Sequence, residues 1–171
     1  MPMPKDMGPD ETCPVVVPPT EAMSGGLGDG QIFAGRFRIE RRMGRGGMGV
    51  VYAAYDEAVG ERVAIKVLTH NFGPAVDRFR QEVRLARRVT HRNAARTFDL
   101  GEHELHRFIT MELVEGESLH ERLAREGRLP IDAALDIATQ VCMGLHAAHE
   151  VGVVHRDLKP ANIFIASNVV V

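Results

Sequence analysis

The sequence predicts an α+β protein: a small lobe of five antiparallel strands with one helix, followed by a mainly helical part. Three observations lead there. Short β-branched and aromatic runs recur between residues 37 and 113, separated by glycine-bearing or polar turns. In their midst, residues 74–90 switch to helical spacing. From Ser118 onward helical spacing dominates.

Each element has a local cause. Residues 1–30 carry prolines at positions 2, 4, 9, 14, 18 and 19 and glycines at 25, 26, 28 and 30, so residues 1–34 read as a disordered tail. Thr12 and Thr20 are candidate phosphorylation positions within it. Phe37–Glu40 and Val50–Asp56 alternate as strands around a glycine turn, and Arg62–Leu68 makes a third after the turn at Gly60. Pro74 suits a first helical turn, and Val76, Phe79 and Val83 continue at helical spacing. Ala95–Leu100 and Arg107–Leu113 supply two more strands. Ser118 is a plausible N-cap for a helix over 119–125 that ends near Gly127. Pro130 opens a longer helix to about Glu150, ended by Gly152. Its apolar stripe comprises Ala134, Ile137, Ala138, Val141, Cys142, Leu145 and Ala148.

Composition excludes several classes. The chain has 171 residues, 44% of them hydrophobic and 26% charged, an ordinary balance for a globular protein. Net charge is −2, with −4 in residues 1–35 and +2 in the rest, far from the basic footprint of a nucleic-acid binder. Two cysteines, Cys13 and Cys142, give no disulfide framework. No run approaches the ~18 apolar residues of a membrane span, and a cytoplasmic location is expected. Of the eight histidines, the i, i+3 pairs His103/His106 and His146/His149 lack supporting ligands, so no metal site is expected there.

Three motifs carry chemistry. Gly44-x-Gly46-x-x-Gly49 is followed by a strand, not the helix a dinucleotide fold requires. A glycine turn between strands can be a plain hairpin, or it can fold over a nucleotide and offer backbone N–H groups to phosphate oxygens. Lys66 sits inside the apolar strand Val63–Leu68, where an ammonium needs an anionic partner. Glu82, on the following helix, is the expected ion-pair partner. Residues 155–162 read His-Arg-Asp-Leu-Lys-Pro-Ala-Asn.

With all three in this order, the chain resembles a protein kinase from about Phe37 to its last residue. The Gly-Arg-Gly-Gly-Met-Gly-Val-Val-Tyr run and Arg-Phe-Arg-Gln-Glu look most like bacterial Ser/Thr kinases. The resemblance implies a kinase domain over 35–171, with an N-terminal lobe to about 113 and a partial C-terminal lobe from about 117. It implies phosphoryl transfer from Mg-ATP to Ser/Thr hydroxyls of a protein substrate, with ATP and Mg2+ as cofactors. Asp157 is then the catalytic base, Lys159 steadies the transferring phosphate, Lys66 holds the nucleotide phosphates and Asn162 is a metal ligand. Gly44, Arg45, Gly46, Gly47, Met48 and Gly49 would cover the phosphates. Met43, Val51, Ala64 and Phe164 would sandwich the base. Met111 would be the gatekeeper, with Glu112 and Val114 meeting adenine through their backbones and Glu117 on the ribose side. His155 and Arg156 would hold the catalytic loop, the arginine meeting a phosphorylated activation loop.

The family's second metal ligand, in Asp-Phe-Gly, is expected after Val171. The chain therefore reads as a kinase domain truncated before that segment, and alone is expected to transfer little phosphate. The alternative is a non-catalytic nucleotide- or protein-binding module on the same fold. A membrane association would need an anchor in a further C-terminal region.

Overall fold

Residues 32–68, rich in β-branched and aromatic side chains, pair into antiparallel strands. The computed structural model describes residues 26–47, 49–68, 76–104, 106–166 and 169–171. In chain order these form β1 (Ile32–Phe33), β2 (Phe37–Gly46), β3 (Gly49–Asp56), β4 (Glu61–Leu68), α1 (Val76–Ala86), β5 (Thr97–His103) and β6 (His106–Glu112). Then come β7 (Glu117–Ser118), α2 (Leu119–Glu126), α3 (Ile131–Glu150), a 3-10 turn at Pro160–Asn162, β8 (Phe164–Ala166) and β9 (Val169–Val170). One sheet has the order β1-β2-β3-β4-β6-β5, and a second has β7-β8-β9.

The five expected strands are present, and a sixth corrects the tail boundary. Phe33 is buried and meets Phe108 and His103 edge-to-face, at centroid separations of 5.0 and 5.2 Å. Gly30 N–H donates to the Ile39 carbonyl at 2.8 Å, and Leu27 N–H donates to the Tyr52 hydroxyl at 3.1 Å. Residues 26–34 thus pack on the sheet rather than belonging to a disordered tail. A single buried aromatic outweighs the glycine-rich composition around it. The expectations for residues 1–25 (Thr12, Thr20 and Cys13 among them), for Met48 and for Pro74 lie outside the described residues.

The core of the larger sheet is one face of its strands. Ile39, Tyr52 and Ile65 are almost wholly buried, joined by Ala54, Val63, Val67 and Phe108. Burying one such large side chain contributes about 1.5–3 kcal/mol. At the edge of this core Arg36 grips buried Asp56 with both prongs of its guanidinium, Nε to Oδ1 at 2.7 Å and Nη2 to Oδ2 at 2.6 Å. The Arg36 contact holds the Asp56 carboxyl below the usual carboxylate range, against the opposing effect of burial.

The helical part follows its caps. Ser118 accepts from Glu121 N–H, and the Glu121 side chain accepts from Ser118 N–H, a complete capping box on α2. The Ser118 N–H first, then the Ser118 hydroxyl donating to Glu121 Oε2 at 2.8 Å, keep the Glu121 carboxyl below its ordinary pKa. α2 ends at Gly127, at φ 77°. The apolar stripe expected on α3 needs correction. Ile137 and Gly144 are its buried residues, whereas Ala134, Ala138 and Cys142 are exposed. The reason is what the helix meets: Ile137 packs with Ile163 and Val170, while Gly144 abuts the backbone of Asn93. No helix of the described residues is long and apolar enough to cross a membrane.

Removing Arg36 would leave the Asp56 carboxylate buried without its cation. Arg36→Ala is expected to lower stability by about 1–3 kcal/mol near neutral pH, read by chemical denaturation. Because Asp56 has a depressed folded pKa, its contribution is present above the unfolded value and is lost as pH falls through the folded one. The two proteins' stabilities should therefore converge under acid, and a constant difference would refute this account.

Candidate active site

Strand register builds the upper half of the site. Val51 pairs with Lys66, Lys66 with Ile109, and Gly44 with Val51, so these residues lie in one row across β2, β3, β4 and β6. Ala64 pairs with Met111 two positions along, on the same face. This is the face opposite the core of Tyr52 and Ile65. The register thus groups Val51, Ala64, Lys66 and Met111 on one face. Met43 lies on β2 at the second irregularity of register, unpaired between Arg42 and Gly44 and half-buried.

The glycine hairpin closes over the end of this row. Gly46 pairs with Gly49, and Gly44, Arg45, Gly46 and Gly47 are exposed. Gly49 is different: a Cβ there would lie 2.1 Å from the Val67 carbonyl oxygen. Only glycine lets β3 start so close to β4.

The lower half hangs from the connector between β6 and β7. At Gly116 a Cβ would sit 2.3 Å from the Ile165 carbonyl oxygen, so the connector lies directly on β8. That seats Glu112 and Val114 beside the strand that begins with half-buried Phe164. Arg62 ties the connector back to β4 by pairing with both Glu40 and Glu115. An open cleft runs along this connector at Arg92, Glu112, Val114, Ala166 and Val171, separate from Lys66 and Asp157.

The catalytic-loop motif forms a compact polar knot. Lys159 Nζ lies 2.9 Å from Asp157 Oδ2. Asn162 Nδ2 donates to Asp157 Oδ2 at 3.0 Å and to its carbonyl at 2.8 Å. Asp157 N–H donates to the His155 carbonyl at 2.8 Å and to His155 Nδ1 at 3.3 Å. The Lys159 contact first, then the one from Asn162, holds the exposed Asp157 carboxyl below its usual range. Arg156 takes φ 61°, a left-handed conformation that a non-glycine residue keeps only at some cost.

One expected contact is replaced by another. Among the described residues there is no ion pair between Lys66 and Glu82. Glu82 Oε1 instead lies 3.4 Å from Arg156 Nη1. Among the described side chains of α1 Val83 is buried, while Glu82 is exposed and faces the loop where Arg156 takes a positive φ. Arg156 accordingly meets a glutamate of the first lobe. Glu117, the ribose-side candidate, accepts from Arg125 Nη2 of α2 at 2.6 and 2.9 Å. A partner eight residues away on the next helix was not legible from the strand pattern.

A sheet lobe with a glycine hairpin and an inward lysine, joined to a helical part with this loop, defines a kinase-like class of protein. Residues 37–171 match the protein kinase domain family, and the chain belongs to it. It is 43% identical over 143 residues to the serine/threonine-protein kinase pkn2 of Myxococcus xanthus, covering 82% of this chain and 17% of that protein. It is 41% identical to PknA of Mycobacterium tuberculosis, covering 80% of this chain and 33% of that protein. The fold resembles the crystal structure of the M. tuberculosis PknI kinase domain with a TM-score of 0.75 and 31% identity, over 85% of this chain and 59% of that one. The chain thus spans a third or less of the length of these curated relatives.

The Asp157 geometry makes a specific prediction. Lys159→Met removes the first cause of its depressed pKa, so the carboxyl should titrate closer to an ordinary aspartate when followed by carbon-detected NMR. An unchanged titration would show that Lys159 does not hold it.

Proposed function

We propose that this chain carries the nucleotide site and catalytic loop of a protein Ser/Thr kinase, transferring the γ-phosphoryl group of ATP to a protein hydroxyl. The observation that carries this is the Asp157 knot: one carboxylate, one lysine and one asparagine locked together on a single loop. Phosphoryl transfer asks for positioning and charge neutralisation more than for covalent chemistry. The knot supplies both.

Asp157, kept ionised by Lys159 and Asn162, accepts the hydrogen bond of a seryl or threonyl hydroxyl and aims its oxygen at phosphorus. A carboxylate depressed in this way is a weak base, so its part is orientation, with the proton following late. Lys159 then neutralises charge on the moving phosphoryl group. Lys66 anchors the nucleotide's phosphates from the sheet face beneath the glycine hairpin. Val51, Ala64 and Met43 form the upper apolar wall for the base, Phe164 the lower one, and Met111 the rear. Backbone groups of Glu112 and Val114 fix its edge.

The donor set also fits Mg2+. With Asn162 Nδ2 committed to Asp157, Oδ1 is the atom left to face the phosphates, and Mg2+ prefers such hard oxygens. Bound there, the ion would supply charge neutralisation to the phosphate oxygens. Ser/Thr-bearing protein is the proposed substrate, and the cytoplasm the proposed location.

Binding and chemistry separate in the test. Mg-ATP affinity, by calorimetry, should fall roughly 10–100-fold in Lys66→Met, the value of a lost hydrogen-bonded charge contact. Asp157→Asn should leave that affinity within a few fold. In the protein carrying this domain, Asp157→Asn should reduce radiolabel transfer to a Ser/Thr substrate by about 10²–10⁴-fold. Equal transfer by Asp157→Asn and the unaltered protein would sink the proposal.

A further inference from the structure

α3 presents a glycine where the first lobe touches it. Gly144 is buried, and a Cβ there would lie 2.2 Å from the Asn93 carbonyl oxygen. The loop between α1 and β5 therefore rests on bare helix backbone. That loop is internally tight: Ala94 N–H donates to the His91 carbonyl at 3.0 Å, and Asn93 N–H donates to His91 Nδ1 at 3.1 Å. Its shape sends the Asn93 side chain into the joint, where the residue is 7% exposed.

There both donors of the carboxamide are used. Nδ2 donates to Gln140 Oε1 at 3.0 Å and to the Val170 carbonyl at 2.5 Å. Gln140 Oε1 also accepts from Val170 N–H at 2.9 Å. Three segments distant in sequence, the loop 91–94, α3 and β9, thus meet on two amides. From β9 the connection runs on. Val171 and Phe164 exchange both backbone hydrogen bonds at 2.8 Å, and Ile165 pairs with Val170. Phe164 follows Asn162 by two residues and pairs with Ser118 on its other side.

We propose that Asn93, with Gln140 as its relay, is a positioning residue: it fastens β9 to both lobes, and through β9 it seats Phe164 and Asn162. Gly144 is the small residue that lets the fastening close. The fastening stands on geometry alone, whereas its effect on ligand affinity rests on the nucleotide reading above. An alanine at position 93 leaves the Val170 carbonyl without its side-chain donor in a buried place, which is where such a loss is felt most. Sequence reasoning missed this residue because an asparagine in a loop between polar neighbours carries no periodic signal.

Hydrogen exchange of the unaltered chain and three variants tests it, with Mg-ATP affinity measured in parallel. In Asn93→Ala, amide exchange at Phe164, Ile165, Val170 and Val171 should rise at least about tenfold, while Tyr52 and Ile65 keep their protection. Gly144→Ala should loosen the same four amides by a different route, which covers the case in which one variant folds poorly. Gln140 Nε2 donates to Asp136 Oδ2 at 2.9 Å, so Gln140→Glu alone would set two carboxylates face to face. Made together with Asp136→Asn, it keeps the accepting oxygen and should keep protection at Val170. Mg-ATP affinity should weaken several-fold in the two loosening variants and not in the protein carrying Gln140→Glu with Asp136→Asn. Unchanged exchange in Asn93→Ala, or an equal rise throughout β3, β4 and β8, would overturn the proposal. The local pattern in Asn93→Ala, together with unaltered protein that binds no Mg-ATP, would refute the nucleotide reading and leave the fastening supported.

Discussion

The register between β3 and β4 is the constraint from which the rest of the site follows. Side chains alternate along a strand, so a slip of one residue would exchange the two faces. Lys66 would then enter the core now filled by Tyr52 and Ile65, and an apolar side chain would face the cleft. The eight uninterrupted pairs from Gly49↔Leu68 to Asp56↔Glu61 prevent this. Gly49 pins one end through its close approach to Val67, and Asp56 pins the other through Arg36. The lysine's position is thus a consequence of core packing on the far side of the sheet.

The catalytic loop is organised differently. It has no strand or helix through Leu158, and Asp157, Lys159 and Asn162 are all exposed. Order there comes from local side-chain-to-backbone bonds, with the 3-10 turn at Pro160–Asn162 bringing Asn162 back onto Asp157. Exposed ion pairs contribute only about 0–1 kcal/mol each. The knot is therefore better understood as setting direction and charge than as stabilising the fold. The strained Arg156 next to it is consistent with that division, since strain is kept where geometry matters more than stability.

Much of this was legible in the residues themselves. Short strands with alternating pattern, the Ser118 cap with Glu121 three residues on, and the glycine at 127 each carry a local signal, and each element formed. The motif residues Lys66, Asp157, Lys159 and Asn162 were also visible, because unusual residue types stood at fixed spacing. What stayed hidden depends on partners remote in sequence. Phe33 looked like part of a flexible tail until Phe108 and His103, more than seventy positions away for the former, were found to cover it. The buried line of α3 passed through Gly144 rather than the alanines, because the surface it meets is a backbone. Periodicity reports how apolar a face is, and says nothing of what will lie against it.

The same distinction bears on the exchange of partners at Glu82. The Arg156–Glu82 contact is long, at 3.4 Å, and its side chains are 63% and 48% exposed. Solvent screens such a pair to about 0–1 kcal/mol, a factor of a few in population at most. Lys66 is more enclosed, on a face with Val51 and Ile109, and a charge there gains more from an anion than an exposed charge does. Val83 of α1 is buried, and the loop that follows the helix rests on α3 at Gly144. The fixed points between the lobes are the connector at Gly116 and the loop at Asn93, both set by backbone contact. The partner of Glu82 is thus set by where α1 meets the catalytic loop, whereas the position of Lys66 is set by the sheet register.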